Sequence, residues 1–239
     1  MSRRRKLALP VAVLIGLGIS ALVYTQLNGA RYDSETLNVP FLASRLESHV
    51  LISLVSFAIV VAIAIPLGVL LAGAGKAVRI PVFMLANLGQ AVPGIGILVI
   101  ISALLGLGAV PAVIALVAYG TLPVLRNTVA GIQGVDPAAV EAARGMGMTR
   151  RQALLRVQLP LASPLIFAGL RTALVLVIST ATLGNFIGAQ GLGDVIASGI
   201  NISDRIVFLG AVMVATLALL ADWALSLLEG AVVPRRTAA

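Results

Sequence analysis

Few residues in this chain have types and spacings that support bond-making chemistry. His49 is the only histidine and there is no cysteine, so no pair of soft or imidazole ligands stands at a metal-binding spacing. A single imidazole at the edge of an apolar run is also a poor base for the scattered serines, and no Ser-His-Asp arrangement is assigned. Gly75-Lys76 does not make a phosphate loop: G-x-x-x-x-G-K-[ST] needs Gly at 70 and Ser or Thr at 77, where the chain has Leu70 and Ala77. Neither catalysis nor a cofactor is expected on this chain itself.

The remaining candidates are polar groups set inside apolar runs. Arg171 follows Pro164 by seven residues and Asp222 precedes Gly230 by eight, about 10 Å and about 12 Å along a helix at 1.5 Å per residue. Ionisable side chains at such depth face the protein interior and pair. The matched depths predict an intramembrane ion pair; the other reading has Arg171 reaching the headgroups alone. Asn87, Gln90 and Pro93, followed by Gly94 and Gly96, place amides and helix breakers mid-span. Such groups line a translocation path or serve as interhelical hydrogen bonds and packing sites. Thr180, Thr182 and Asn185 fit the same two readings. Gly184-x-x-x-Gly188 suits close helix approach, and Gly188 to Asp194 suits a tight turn, either an outer gate or a plain loop.

What must hold these groups is a set of membrane helices. Of 239 residues, 59% are hydrophobic and 11% charged, against about 25% charged in soluble domains; mean hydropathy is +1.08. No charge occurs from Ile80 to Leu125, room for two spans of roughly 20 residues. The expected fold is all-α and polytopic, with about six spans near 7–27, 50–73, 80–105, 109–127, 163–188 and 206–230. A net charge of +8 would suggest nucleic acid in a soluble protein. Here the basic residues flank the spans, and an inside N-terminus puts 14 of the 17 Lys and Arg on the inner side. Both termini are therefore expected in the cytoplasm, with lipid and not nucleic acid as surroundings. The basic Ser2–Lys6 segment and the apolar Leu7–Leu27 read as a retained first span, because the stretch exceeds a signal h-region and no A-x-A site follows. Residues 1–49 then form this span and a polar external loop, with a short interfacial helix from Phe41. Residues 50–239 form the main transmembrane domain.

The longest inner loop, about 128–162, carries its own structure. Asp136 is placed as an N-cap with Pro137 in the first turn, and Gly147 as a left-handed terminator. Thr149 and Gln152 have capping-box spacing, and the second short helix is expected to end at Pro160. The prediction is a helix-turn-helix over 136–160, a rigid element and not a tether.

Within it, Glu141-Ala142-Ala143-x3-Gly147-x9-Val157-x-Leu159-Pro160 resembles the EAA loop of ABC-importer permeases, with Val157 where isoleucine is usual. Leu125–Thr128, Gly145–Met148, Ala64–Gly68, Thr180–Leu183 and Gly191–Asp194 are similar to the quaternary-amine branch (glycine betaine, carnitine, choline), over about residues 45–230. Asn185 and Gln190 depart from the small residues expected there. The resemblance implies a permease of a bacterial inner membrane, paired with a second permease subunit as homo- or heterodimer. It implies a cytosolic ATPase dimer, carrying ATP and Mg, that docks on Glu141, Ala142, Ala143, Gly147, Val157, Leu159 and Pro160. It also implies an extracytoplasmic solute-binding protein. With 4% aromatic residues, an aromatic cage for a quaternary ammonium is not expected within one subunit. The rival readings are the same architecture for an amino acid or sulfonate, an ATP-independent secondary transporter, and a membrane scaffold that only anchors an ATPase. Against a secondary transporter, no paired repeat of broken helices and no row of buried acids is visible.

Overall fold

The computed structural model describes residues 3–28 and 38–232, with side chains over 10–25 and 38–231. The basic cluster Arg3–Lys6, the loop charges Arg31, Asp33 and Glu35, and Arg235 and Arg236 fall outside the described side chains. Every regular element among the described residues is helical: α1 (Arg3–Asn28), α2 (Val39–Ala72), α3 (Lys76–Ala91), α4 (Gly94–Leu105), α5 (Ala109–Gln133), α6 (Pro137–Gly145), α7 (Arg150–Ala153), α8 (Leu159–Ala181), α9 (Leu192–Gly199) and α10 (Asp204–Val232). A π turn, Leu154–Gln158, joins α7 to α8, and a 3-10 turn, Thr182–Ile187, extends α8.

Four helical stretches are long and apolar enough to cross a membrane: α2, α5, Arg150–Ile187 and α10. The count becomes five if α3 and α4 together make one span; the described apolar part of α1, Pro10–Thr25, is shorter. Three expectations are corrected. The single span expected over 80–105 is two helices meeting at 99°. Pro93 has no N–H for the helix ladder and pushes Val92 into extended backbone, φ −85 and ψ 134. The interfacial helix and second span are one 34-residue helix from Val39, with Asn38 accepting from the Phe41 N–H at 2.8 Å. The second arm of the inner hairpin does not stop at Pro160: Arg150–Ile187 is one 38-residue helix. The π turn widens the backbone just ahead of the proline, and the Leu159 N–H bonds back to Leu154. One turn on, Pro164 deprives the Pro160 carbonyl of its donor, and the Ser163 hydroxyl supplies one at 2.7 Å.

The core lies where α2, α5, α8 and α10 meet. The buried residues of α2 are His49, Ser53, Ser56, Val60, Ala64, Gly68 and Leu71, a single seam in steps of three and four. Most are small, which lets backbones approach where lipid removes the hydrophobic drive for association. Gly169 shows the limit of that approach: a Cβ there would lie 2.8 Å from the Pro123 carbonyl oxygen of α5.

Candidate functional site

The inner hairpin is built from local signals that all agree. Asp136 accepts from the Ala138 N–H at 2.9 Å, with Pro137 opening α6. At the far end Gly147 has φ +85, and the Met148 and Gly147 N–H groups bond to the carbonyls of Ala143 and Arg144 at 3.2 and 2.9 Å. This double bond pattern is a Schellman motif, and it needs a residue tolerant of positive φ. Thr149 Oγ1 then accepts from the Gln152 N–H, while Gln152 Oε1 accepts from the Thr149 N–H. The hairpin is thus capped at three of its four ends, and its second arm continues into α8.

Of the residues placed there from sequence, Glu141 and Ala142 are exposed and Val157, Leu159 and Pro160 half-buried. Ala143 is 1% exposed, as is Ala153 in the opposite arm. Two small buried residues, one on each arm, let the arms close on each other, and the Ala143 side chain is covered within the chain. Glu141 and Arg144 rim a cleft of about 310 Å³ that reaches Ala72, Gln133 and Gln158. Sequence reasoning missed Met146, the most exposed large apolar side chain of the hairpin at 73%, and Leu155 at 51%. An apolar residue at the tip of a basic loop was the available signal.

Inside the membrane region, two of the polar candidates anchor α3 to α5. Gln90 Nε2 donates to the Tyr119 carbonyl at 3.0 Å. That carbonyl has no helical donor, because residue 123 is proline. Gly89 permits the contact: a Cβ there would sit 2.7 Å from the Ala118 carbonyl oxygen. One turn away Arg126 Nη2 donates to Asn87 Oδ1 at 2.6 Å, and Asn87 Nδ2 donates to the Phe83 carbonyl. Pro93 opens the break between α3 and α4, and the adjacent Gly94 packs at Thr180 on α8. Thr182 donates to the Ser179 carbonyl at 2.6 Å, and Asn185 lies with it on the 3-10 turn. Among the described residues no hydrogen bond joins this pair to Asn87 or Gln90.

Arg171 and Asp222 face each other across α8 and α10, with Nε to Oδ1 and Nη2 to Oδ2 both 2.6 Å. Glu229 stands 3.7 Å from Nη1 of the same guanidinium. The arrangement is the bidentate fork of Arg and carboxylate.

His49, which the sequence places at the edge of an apolar run, is 1% exposed. Its Nε2 lies 3.1 Å from the Ile178 carbonyl oxygen, and its Nδ1 accepts from the Leu192 N–H at 3.3 Å. The neutral ring protonated on Nε2 satisfies both partners at once. Gly191 stacks against it, since a Cβ there would lie 2.9 Å from Nδ1. Arg45 reaches Asp194 at 3.2 Å beside it. The glycine-rich segment 188–194 is therefore tied to α2 by named bonds, and through the His49 ring to α8. Gly184 and Gly188 serve this turn, with Gly188 at φ +73. Among the described residues no three His, Asp or Glu side chains are grouped to hold a metal.

Comparison with known proteins gives this arrangement a context. The profile described as binding-protein-dependent transport system inner membrane component matches residues 64–233. The choline transport system permease protein OpuBB of Bacillus subtilis (strain 168) is 42% identical over 191 residues, covering 78% of this chain and 86% of that protein. The carnitine transport permease protein OpuCB of Listeria monocytogenes is 42% identical over 188 residues, with the same coverage. The glycine betaine/carnitine/choline transport system permease protein OpuCB of Bacillus subtilis is 41% identical over 192 residues, covering 78% and 86%. Among solved structures, the MetNI methionine ABC transporter in inward-facing conformations has a chain that superposes with a TM-score of 0.71 at 22% identity, covering 81% of this chain and 96% of that one. At that identity the likeness speaks for the fold.

Proposed function

This chain belongs to the family of binding-protein-dependent transport system inner membrane components and is a permease subunit of an ABC importer; from that premise we propose that its solute is a betaine-type quaternary amine, such as glycine betaine, carnitine or choline. The relatives above support the solute class. In this reading the hairpin faces the cytoplasm and both termini lie there. Two permease subunits form the path, a cytosolic ATPase dimer binds ATP and Mg, and an extracytoplasmic protein delivers solute to the 188–194 face. Coupling residues are Glu141, Ala142, Gly147, Val157, Leu159 and Pro160, with Ala143 holding the hairpin closed and Met146 as an added contact.

The observation that carries the coupling reading is continuity. A hairpin that takes up motion passes it on only if it is stiff, and this one is capped, locked at Gly147 and continuous with α8. Its rim of Arg144, Arg150 and Arg151 is exposed and suits an acidic edge on the ATPase, which sets register more than affinity.

The test is uptake of labelled glycine betaine into proteoliposomes holding this permease with its ATPase and binding protein. The expected result is uptake that needs internal ATP and falls when Glu141 or Gly147 is replaced in an intact complex. Hydrolysis stimulated by the binding protein without uptake of any quaternary amine points to another solute, such as an amino acid or sulfonate. Uptake by this chain alone, indifferent to ATP, overturns the coupling.

A further inference from the structure

We infer that Arg126 is a solute-carboxylate site: its guanidinium, held inside the membrane region by Asn87 and lacking any acidic partner among the described residues, receives the carboxylate of a zwitterionic solute. The inference rests on the betaine-type solute class proposed above and names which end of the molecule this subunit reads.

Four observations carry it. The first is depth. Gln133 Nε2 donates to the Ala72 carbonyl at 3.0 Å, so the hairpin end of α5 lies beside the end of α2, next to the turn that opens α3 at Lys76. Arg126 is seven residues from Gln133, about 10 Å along α5. Asn87 is eleven residues from Lys76, about 16 Å along α3. The bond from Arg126 Nη2 to Asn87 Oδ1 therefore draws the guanidinium further from the hairpin face. An arginine at this depth would ordinarily snorkel the other way, toward the headgroups.

The second is charge. No Asp or Glu occurs between Glu47 and Asp136, so α3, α4 and α5 carry no carboxylate. Among the described residues no acid lies within ion-pair distance of Arg126, whereas Arg171 on α8 has both Asp222 and Glu229. An ionised group within a span calls for a partner, and here the fold supplies a neutral amide and no counter-charge.

The third is geometry. One of the five guanidinium N–H donors is committed to Asn87; Nε and Nη1 have no hydrogen-bond partner among the described residues. A fork with an unused edge is the group that binds carboxylate by two parallel hydrogen bonds. The fourth is position. Arg126 is exposed, and no residue of α3 is buried, so the face that Asn87 and Arg126 share is open. It adjoins Gln90 and the break at Pro93, the polar groups that the sequence marks as path candidates.

The chemistry separates solutes within the class. Glycine betaine and carnitine carry a carboxylate; choline is a cation without one, and a guanidinium repels it. The chain's few aromatic residues leave the ammonium end to be read elsewhere.

The experiment compares wild type, Arg126→Gln and Arg126→Lys in proteoliposomes with the ATPase and binding protein, using labelled carnitine, glycine betaine and choline. Binding-protein-stimulated ATP hydrolysis checks that each complex is assembled. Loss of a charged hydrogen-bond partner corresponds to about tenfold or more. Arg126→Gln is expected to raise the KM for carnitine and glycine betaine by that factor, with choline uptake level or increased, and Arg126→Lys to recover most of the loss. Equal loss for all three solutes, or no change for the carboxylated two, overturns the inference while leaving the solute class standing. Failure of wild type to move any of the three, with hydrolysis still stimulated, overturns the solute class and this inference with it.

Discussion

Gln90 stands in for a hydrogen bond that Pro123 removes. The proline has no N–H to give the Tyr119 carbonyl, and the Gln90 amide supplies one from another helix at 3.0 Å. Gln90→Leu leaves that carbonyl unsatisfied and is expected to cost about 1–3 kcal/mol. Pro123→Ala restores a backbone donor, so the double variant should recover part of the loss. Thermal unfolding in detergent measures both. Equal stability of Gln90→Leu with and without Pro123→Ala would argue against the substitution of one donor for the other.

The cluster at Arg171 is asymmetric, and its variants should be too. Removing Asp222 leaves Arg171 with Glu229 at 3.7 Å. Removing Arg171 leaves two carboxylates with no cation, and uncompensated charge is the costly outcome. Folded yield should therefore fall further for Arg171→Ala than for Asp222→Asn, and Arg171→Ala with Asp222→Ala should recover over Arg171→Ala alone. Size-exclusion yield of the membrane-extracted protein reads the order.

Gly147→Ala places a side chain at φ +85, a strain of about 1–2 kcal/mol. The hairpin turn should loosen without unfolding the membrane helices. The expected signature is ATP hydrolysis retained with solute uptake reduced several-fold, read on the same proteoliposomes.

His49→Phe removes both hydrogen bonds of a buried ring and leaves the Leu192 N–H without its acceptor, a cost of about 1–3 kcal/mol. Hydrogen exchange at residues 188–194 should accelerate. His49→Asn, whose oxygen can stand near Nδ1, should slow it again. Unchanged exchange in His49→Phe would detach that segment from α2.

The parts legible in the sequence were those fixed by neighbours in the chain. Asp136, Gly147, Thr149 and Gln152 occupy their caps because each cap is decided within four residues. Arg171 and Asp222 were brought together by depth alone, since membrane helices share a common axis and few ionisable groups compete. Other features depend on what lies across the fold. Hydropathy does not register the 99° break at Pro93, because the two limbs together are apolar enough to read as one span. The continuation through Pro160 needed a π turn, which has no composition of its own. His49 reads as an isolated polar residue until Ile178 and Leu192 arrive from far along the chain. The inward turn of Ala143 follows from the second arm of the hairpin, not from its own motif. Arg126 appears in sequence as one more inner-side charge, and only its bond to Asn87 gives it a direction.

The continuous helical run from Arg150 to Ile187, its π turn and closing 3-10 turn included, has a mechanical consequence. Its 38 residues span about 57 Å at 1.5 Å per residue, from the inner hairpin to the segment clamped by His49. A rod of that length converts angle into distance: a tilt of about 5° about one end carries the other through about 5 Å, close to one helical turn. The two faces of the membrane can then move in step as a rigid body, with no side chain along the way obliged to change rotamer.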